Sequence, residues 1–288
     1  MFAEISAIPV TPFVPDGAVD EAALQAVVAR VVGSGIELVV ACGNTGEYSS
    51  LTSTESERVA ALTIEAAGTA RALVGVGGDV GTAAREARAG IDRGAVGAMI
   101  HYPQDPYISD AGLLRYYERL IGEIDGVVVL YVKGRGLPAT VLERIIPMEQ
   151  VVAVKYAVPD LLGFGEFARA YGSSVTLLCG LAEIWAPFFW MLGARGFTSG
   201  LVNVAPELSL EMLHALREGD YAGAMRVWEK LRPFEEMRAR AMSANNVSVV
   251  KDAMELRGLL ATGAVRPPSA SLDETGRAEL SAVLASWD

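Results

Sequence analysis

The chain has 288 residues, of which 51% are hydrophobic, and 24 Lys plus Arg stand against 35 Asp plus Glu, for a net charge of −11. So large an apolar fraction supports a sizeable core and excludes intrinsic disorder. An acidic surface of that size repels phosphate backbones and anionic lipid, which excludes nucleic acid and membranes as partners.

Short apolar runs alternate along the chain with amphipathic segments of helical spacing. The run at 5–9 is followed by a helix predicted over 21–32, the run at 38–42 by 55–67, and the run at 72–76 by 83–93. Next come 98–102 with the helix 113–123, 127–132, 151–156 with 161–170, 175–179, and 196–202. The most apolar helix, after the seventh run, carries Trp185, Phe188, Phe189, Trp190 and Met191 and reads as core or subunit interface. These runs are continuous rather than alternating, as expected of parallel strands buried on both faces. Thr52 and Glu55 have capping-box spacing ahead of the second helix. From about Pro206 only helices are predicted, over 207–217, 222–240, 245–260 and 274–285.

Eight strand–helix units predict an α/β fold, a (β/α)8 TIM barrel over residues 1–220 with a C-terminal helical extension over 221–288 packed on it. A doubly wound sheet is the rival. Its dinucleotide fingerprint is approached only by Gly75-Val76-Gly77-Gly78-Asp79-Val80, where Val80 occupies the place of the third glycine, and no P-loop is present. Cys42 and Cys179 both sit in apolar runs and read as buried, reduced thiols of a cytoplasmic protein. No leader is expected from Met1-Phe2-Ala3-Glu4-Ile5, and no stretch approaches the ~18 apolar residues of a membrane span. Two histidines, His101 and His214, with no acidic cluster at ligand spacing, predict no metal and no cofactor.

In such a barrel the chemistry lies at the C-terminal ends of the strands. Lys155 interrupts Val151-Val152-Ala153-Val154-Lys155-Tyr156-Ala157 there, and period two places Val151, Ala153 and Lys155 on one face. Its ammonium either snorkels to the rim or is desolvated into an amine nucleophile. At a pKa of ~10.4 about one lysine in 2,500 is neutral at pH 7, whereas a pKa of ~7 to 8 makes a tenth to a half reactive, as a Schiff base requires. Tyr131 ends the preceding strand, and strands ~4.8 Å apart bring phenol and amine over one pocket. Gly43-Asn44-Thr45-Gly46-Glu47 follows the second strand, where two glycines permit a turn whose N–H groups cradle an anion. His101 stands at a strand end as a further candidate.

These features resemble the dihydrodipicolinate synthase and N-acetylneuraminate lyase family. The resemblance also rests on Gly193-Ala194-Arg195-Gly196-Phe197-Thr198-Ser199, on Asn203-Val204-Ala205-Pro206, and on the span from Ile8-Pro9-Val10-Thr11-Pro12-Phe13 to Arg266-Pro267-Pro268. It implies a metal-free class I aldolase barrel, a homotetramer built as a dimer of dimers, acting on a 2-keto acid. Lys155 would form the Schiff base and Tyr131 would move protons. Thr45, with Asn44 and Gly46 in its loop, would hold the keto-acid carboxylate, and Thr198, Tyr102 and Arg135 are the further substrate-binding candidates. Three departures stand out. Asn44 replaces a relay hydroxyl, Val132-Lys133-Gly134-Arg135-Gly136 replaces Asn-x-Pro-x-Arg-Thr, and the loop His101-Tyr102-Pro103-Gln104-Asp105-Pro106-Tyr107 differs in length from the synthase's. Together they favour a lyase or dehydratase of 2-keto-3-deoxy sugar acids over an authentic 4-hydroxy-tetrahydrodipicolinate synthase, with a non-catalytic keto-acid-binding barrel as a third reading.

Overall fold

A computed structural model describes residues 2–287. Eight strands close a parallel barrel in chain order: β1 (Ile5–Ala7), β2 (Leu38–Ala41), β3 (Arg71–Val76), β4 (Gly97–Ile100), β5 (Val127–Lys133), β6 (Val151–Ala157), β7 (Thr176–Cys179) and β8 (Gly196–Ser199), with β8 pairing β1. The helices between them are α1 (Glu21–Gly33), α2 (Ser53–Ala67), α3 (Val80–Ile91), α4 (Asp110–Glu123), α5 (Ala139–Ile145), α6 (Leu161–Tyr171) and α7 (Ala182–Met191). After β8 come α8 (Pro206–Glu218), α9 (Tyr221–Ser243), α10 (Ser248–Leu256) and α11 (Glu274–Ala285). The fold is thus the (β/α)8 barrel with further C-terminal helices. No helix among the described residues is long and apolar enough to cross a membrane.

Residue chemistry sets the helix starts. Asp20, Asp79, Ser109, Asp160, Asp220 and Asp273 each accept a backbone N–H of their own helix's first turn, and Thr52 with Glu55 forms the predicted reciprocal capping box. Strand side chains divide by period two. Leu38 and Val40 fill the barrel interior with Leu73, Met99, Val129 and Leu178, while Val39, Ala41 and Val74 pack outward under the helices.

The β6 alternation departs from expectation at one end. Val128 pairs Val151 but Val129 pairs Ala153, so Val152 is an extra residue on β6. This bulge sends Val151 into the outer layer, while Ala153 and Ala157, on either side of Lys155, remain interior. The predicted strand 196–202 stops at Ser199, where Gly200 turns helical and Leu201–Asn203 forms a 3₁₀ turn. The short α5, entered through Pro138, is a helix that periodicity did not single out.

Candidate active site

The loop after β2 is shaped by close packing. Gly43-Asn44-Thr45-Gly46 makes a 3₁₀ turn that lies against the end of β1. A Cβ at Gly43 would stand 2.4 Å from the Ile8 side chain, and one at Gly46 would stand 2.9 Å from the Pro9 carbonyl, so both glycines are required by space. Thr11 Oγ1 donates to the Gly46 carbonyl at 2.7 Å, and Glu47, at φ 60°, is held by Lys251 Nζ at 2.6 Å. Asn203 fastens the β8 end to the same corner by donating to the Ile8 and Gly200 carbonyls and accepting from Val10 N–H.

Tyr131 and Lys155 sit side by side in the β5–β6 ladder. Lys155 is 4% exposed, and its Nζ lies 4.0 Å from the centroid of the Tyr131 ring. Burial, and next the positive charge of Lys133, lower its pKa to about 7, while Arg238 disfavours the ammonium further and Cys179 opposes the shift. Tyr131 is buried and pushed up to about 12 by desolvation, against which the Asn44 contact works. In that contact Asn44 Nδ2 donates to Tyr131 Oη at 3.1 Å. The phenol therefore rests as a protonated acid whose ring lies against an amine that is substantially unprotonated at neutral pH.

Both groups face a cavity of about 620 Å³ that is also lined by Asn44, Thr45, Lys133 and Thr198. Such a volume accommodates a ligand several times larger than a three-carbon acid. Gly180 keeps room for the amine, because a Cβ there would stand 2.9 Å from Lys155 Cγ and 2.7 Å from Ala157 Cβ. Gly180→Ala is therefore expected to displace Lys155 and lower turnover by about 10² while the chain still folds, which steady-state kinetics beside a melting curve would check.

The remaining sequence candidates are distributed differently. Gly46 is buried and serves the turn rather than the cavity wall. Arg135 is exposed and donates from Nε to Tyr102 Oη at 3.3 Å and from Nη2 to the Ile108 carbonyl at 3.5 Å, away from the cavity wall. The glycines that flank it, Gly134 at φ 65° and Gly136 at φ 77°, turn the chain on both sides. Tyr102 lies beyond the end of β4 and lines a neighbouring cavity of about 350 Å³ with His101, and Tyr107 is 91% exposed. His101 is buried at 2.9 Å from the Cys42 carbonyl through Nε2 and stacks on Tyr48 with centroids 4.3 Å apart. Desolvation lowers its pKa to about 4, so it is a neutral packing partner behind Tyr131. Burial pushes both thiols up, Cys42 to about 12, so neither is a nucleophile at neutral pH.

The similarity to known proteins extends over the whole chain. The model of the dihydrodipicolinate synthetase family matches residues 1–286. The chain belongs to that family. A curated relative, the 4-hydroxy-tetrahydrodipicolinate synthase of Thermomicrobium roseum, is 32% identical over 96% of this chain and 92% of the relative. A "probable 5-dehydro-4-deoxyglucarate dehydratase" of Bacillus licheniformis is 28% identical over 97% and 92%. Among solved structures, dihydrodipicolinate synthase from Oceanobacillus iheyensis superposes with a TM-score of 0.96 at 40% identity, covering 99% of this chain and 96% of that one. YagE from E. coli K12, solved in complex with pyruvate, gives 0.89 at 25% identity and 97% coverage of both. The chain is thus a lyase of the dihydrodipicolinate synthetase family.

One part of this family member's cavity escaped the sequence reading. Glu235, Arg238, Asn246 and Val247 close the wall from α9 and the segment after it. Arg238 is buried, with Nη1 donating to both oxygens of Glu235 at 2.7 and 3.0 Å and Nη2 to Asn246 Oδ1 at 2.7 Å. A signal existed, because Val227, Leu231 and Phe234 set the buried stripe of α9, and Glu235 and Arg238 continue it at helical spacing. α9 leaves helical geometry at Arg240, the predicted end of that helix, through left-handed residues at Ala241, Met242 and Ser243.

Proposed function

We propose that this lyase forms a Schiff base between Lys155 and a 2-keto acid, and that its substrate is a 2-keto-3-deoxy sugar acid which it cleaves or dehydrates. The observation that carries the reading is the desolvated Lys155 amine beside Tyr131 in a cavity larger than pyruvate needs. The Nζ lone pair attacks the C2 carbonyl, water leaves, and the iminium withdraws electrons from C3. In dehydration the C3 proton passes to the water just released, and in cleavage the C3–C4 bond breaks, with the electron pair held as an enamine. Tyr131 Oη, steadied by Asn44, gives its proton to the C4 hydroxyl as that leaves as water in dehydration, and in cleavage takes the C4 hydroxyl proton while passing its own to the released water. Thr45, which lines the cavity beside Asn44, holds the C1 carboxylate through Oγ1 and its backbone N–H.

The dehydratase or aldolase reading is preferred over the synthase because an amide at position 44 donates to Tyr131 where a hydroxyl would relay a proton. The similarity to the B. licheniformis dehydratase supports it, and the pyruvate complex of YagE supports a 2-keto acid as ligand. We place the protein in the cytoplasm, where Cys42 and Cys179 stay reduced, as a homotetramer that covers the exposed Leu162, Met191 and Leu192. The test is incubation with pyruvate and a panel of 2-keto-3-deoxy sugar acids, with and without borohydride. A covalent adduct on Lys155 and turnover of at least one sugar acid are expected. Condensation of pyruvate with aspartate semialdehyde, and no sugar-acid turnover, would replace this reading by the synthase. Ligand binding with neither adduct nor product would leave the non-catalytic barrel.

A further inference from the structure

We infer that Arg238 is the specificity-determining residue for the far end of the substrate, where it receives a second carboxylate. This rests on the 2-keto acid reading above and narrows its substrate class to 2-keto diacids. Three observations meet at this residue.

First, with Lys155 neutral as the nucleophile, the charges lining the cavity are Lys133 and Arg238 against Glu235, so the wall carries an excess of positive charge in a chain of net −11. The C1 carboxylate is served by a turn of neutral donors, which leaves that excess for a second anion. Iminium formation adds one more positive charge.

Second, the guanidinium is held in advance. Nη1 is occupied by Glu235, and Nε and Nη2 contact the carbonyl and side-chain oxygens of Asn246 at 3.4 and 2.7 Å. These four contacts leave the fifth N–H of the guanidinium for a ligand. A buried, immobilised arginine recognises carboxylate at little cost in side-chain order.

Third, the residue that faces it has no side chain to cover it. A Cβ at Gly200 would stand 2.6 Å from Arg238 Nη2 and 3.1 Å from Thr45 Cγ2. Gly200 has φ −95°, which any residue adopts, so the glycine is called for by its close approach to the guanidinium and Thr45, with which it lines the cavity, rather than by the backbone. Arg135, the strand-five arginine, is exposed and engaged with Tyr102 and Ile108, so it does not compete for this role.

The experiment compares two six-carbon probes, 2-oxoadipate and 2-oxohexanoate, which differ only in the terminal carboxylate. The half-saturating concentration of each is read from borohydride trapping on Lys155 and, in parallel, from ligand-dependent thermal stabilisation. The wild type is expected to favour the diacid by about ten-fold or more, the range of a charge-assisted contact. Arg238→Gln should bring the two probes near parity, and Arg238→Lys should restore part of the preference. A purely structural role would weaken both probes together and leave their ratio unchanged. Should Arg238→Gln fail to fold with Glu235 left unpaired, Glu235→Gln/Arg238→Gln carries the same comparison with neutral isosteres. A wild type without preference, or a ratio untouched by these variants, would overturn the assignment. Thermal stabilisation that keeps the ratio while no adduct forms would overturn the Schiff-base reading and leave Arg238 in place.

Discussion

Lys155→Met is expected to abolish Schiff-base trapping and to lower turnover by at least about 10³-fold, because it removes the desolvated amine beside Tyr131. The same substitution should make the fold more stable. In the unfolded chain the amine titrates near its ordinary value of 10.5, whereas in the folded chain it does so at about 7. Between those values the unfolded state binds the extra proton, so wild-type stability rises with pH across that window. Below about pH 7 both states are protonated and the folded chain carries the full penalty of a buried ammonium, on the order of 4 to 5 kcal/mol at 1.36 kcal/mol per pKa unit. Methionine fills a similar volume without that charge. Its stabilising effect should be largest below pH 7 and fade towards pH 10.5, which denaturant titrations at pH 6 and pH 9 would resolve. A variant equally active, or less stable at pH 6 than at pH 9 relative to wild type, would contradict this assignment of Lys155.

Tyr131→Phe separates carbon–nitrogen bond formation from proton transfer. The ring that packs 4.0 Å from Lys155 Nζ is kept and the hydroxyl is lost, so trapping of a keto acid should persist while kcat falls by about 10² to 10⁴. Removing Oη also leaves Asn44 Nδ2 without its acceptor, at a cost of about 1 kcal/mol in stability. Single-turnover kinetics would show iminium formation preserved and the later step slowed. Equal loss of both steps would mean that the hydroxyl serves only to position Lys155.

Barrel strands are legible in sequence because burial on both faces writes them as unbroken Val and Ile runs, and Lys155 is legible because an ammonium interrupts such a run. Their ends are less so. The apolar runs continue to Cys42, Tyr102 and Val202, but the ladders stop at Ala41, Ile100 and Ser199, where pairing partners rather than hydropathy decide. The face of Val151 was hidden for a similar reason, since a bulge depends on register with β5. The resemblance makes Arg135 a site residue, yet the left-handed turns at Gly134 and Gly136 direct its loop to the rim. Arg238 lies more than eighty residues from Lys155 in sequence and reaches the cavity only through the packing of α9 on α7 and α8. Its helical spacing shows that it is buried, but not what it is buried against.

The central claim, that burial makes Lys155 a nucleophile at neutral pH, is tested most directly by the pH dependence of pyruvate trapping. The adduct on Lys155, pyruvate less one water plus two hydrogens, should form at a rate that rises with a midpoint near pH 7 and levels off above about pH 8. Trapping that sets in only above about pH 9, as for an ordinary solvated lysine, or an adduct on another residue, would contradict it.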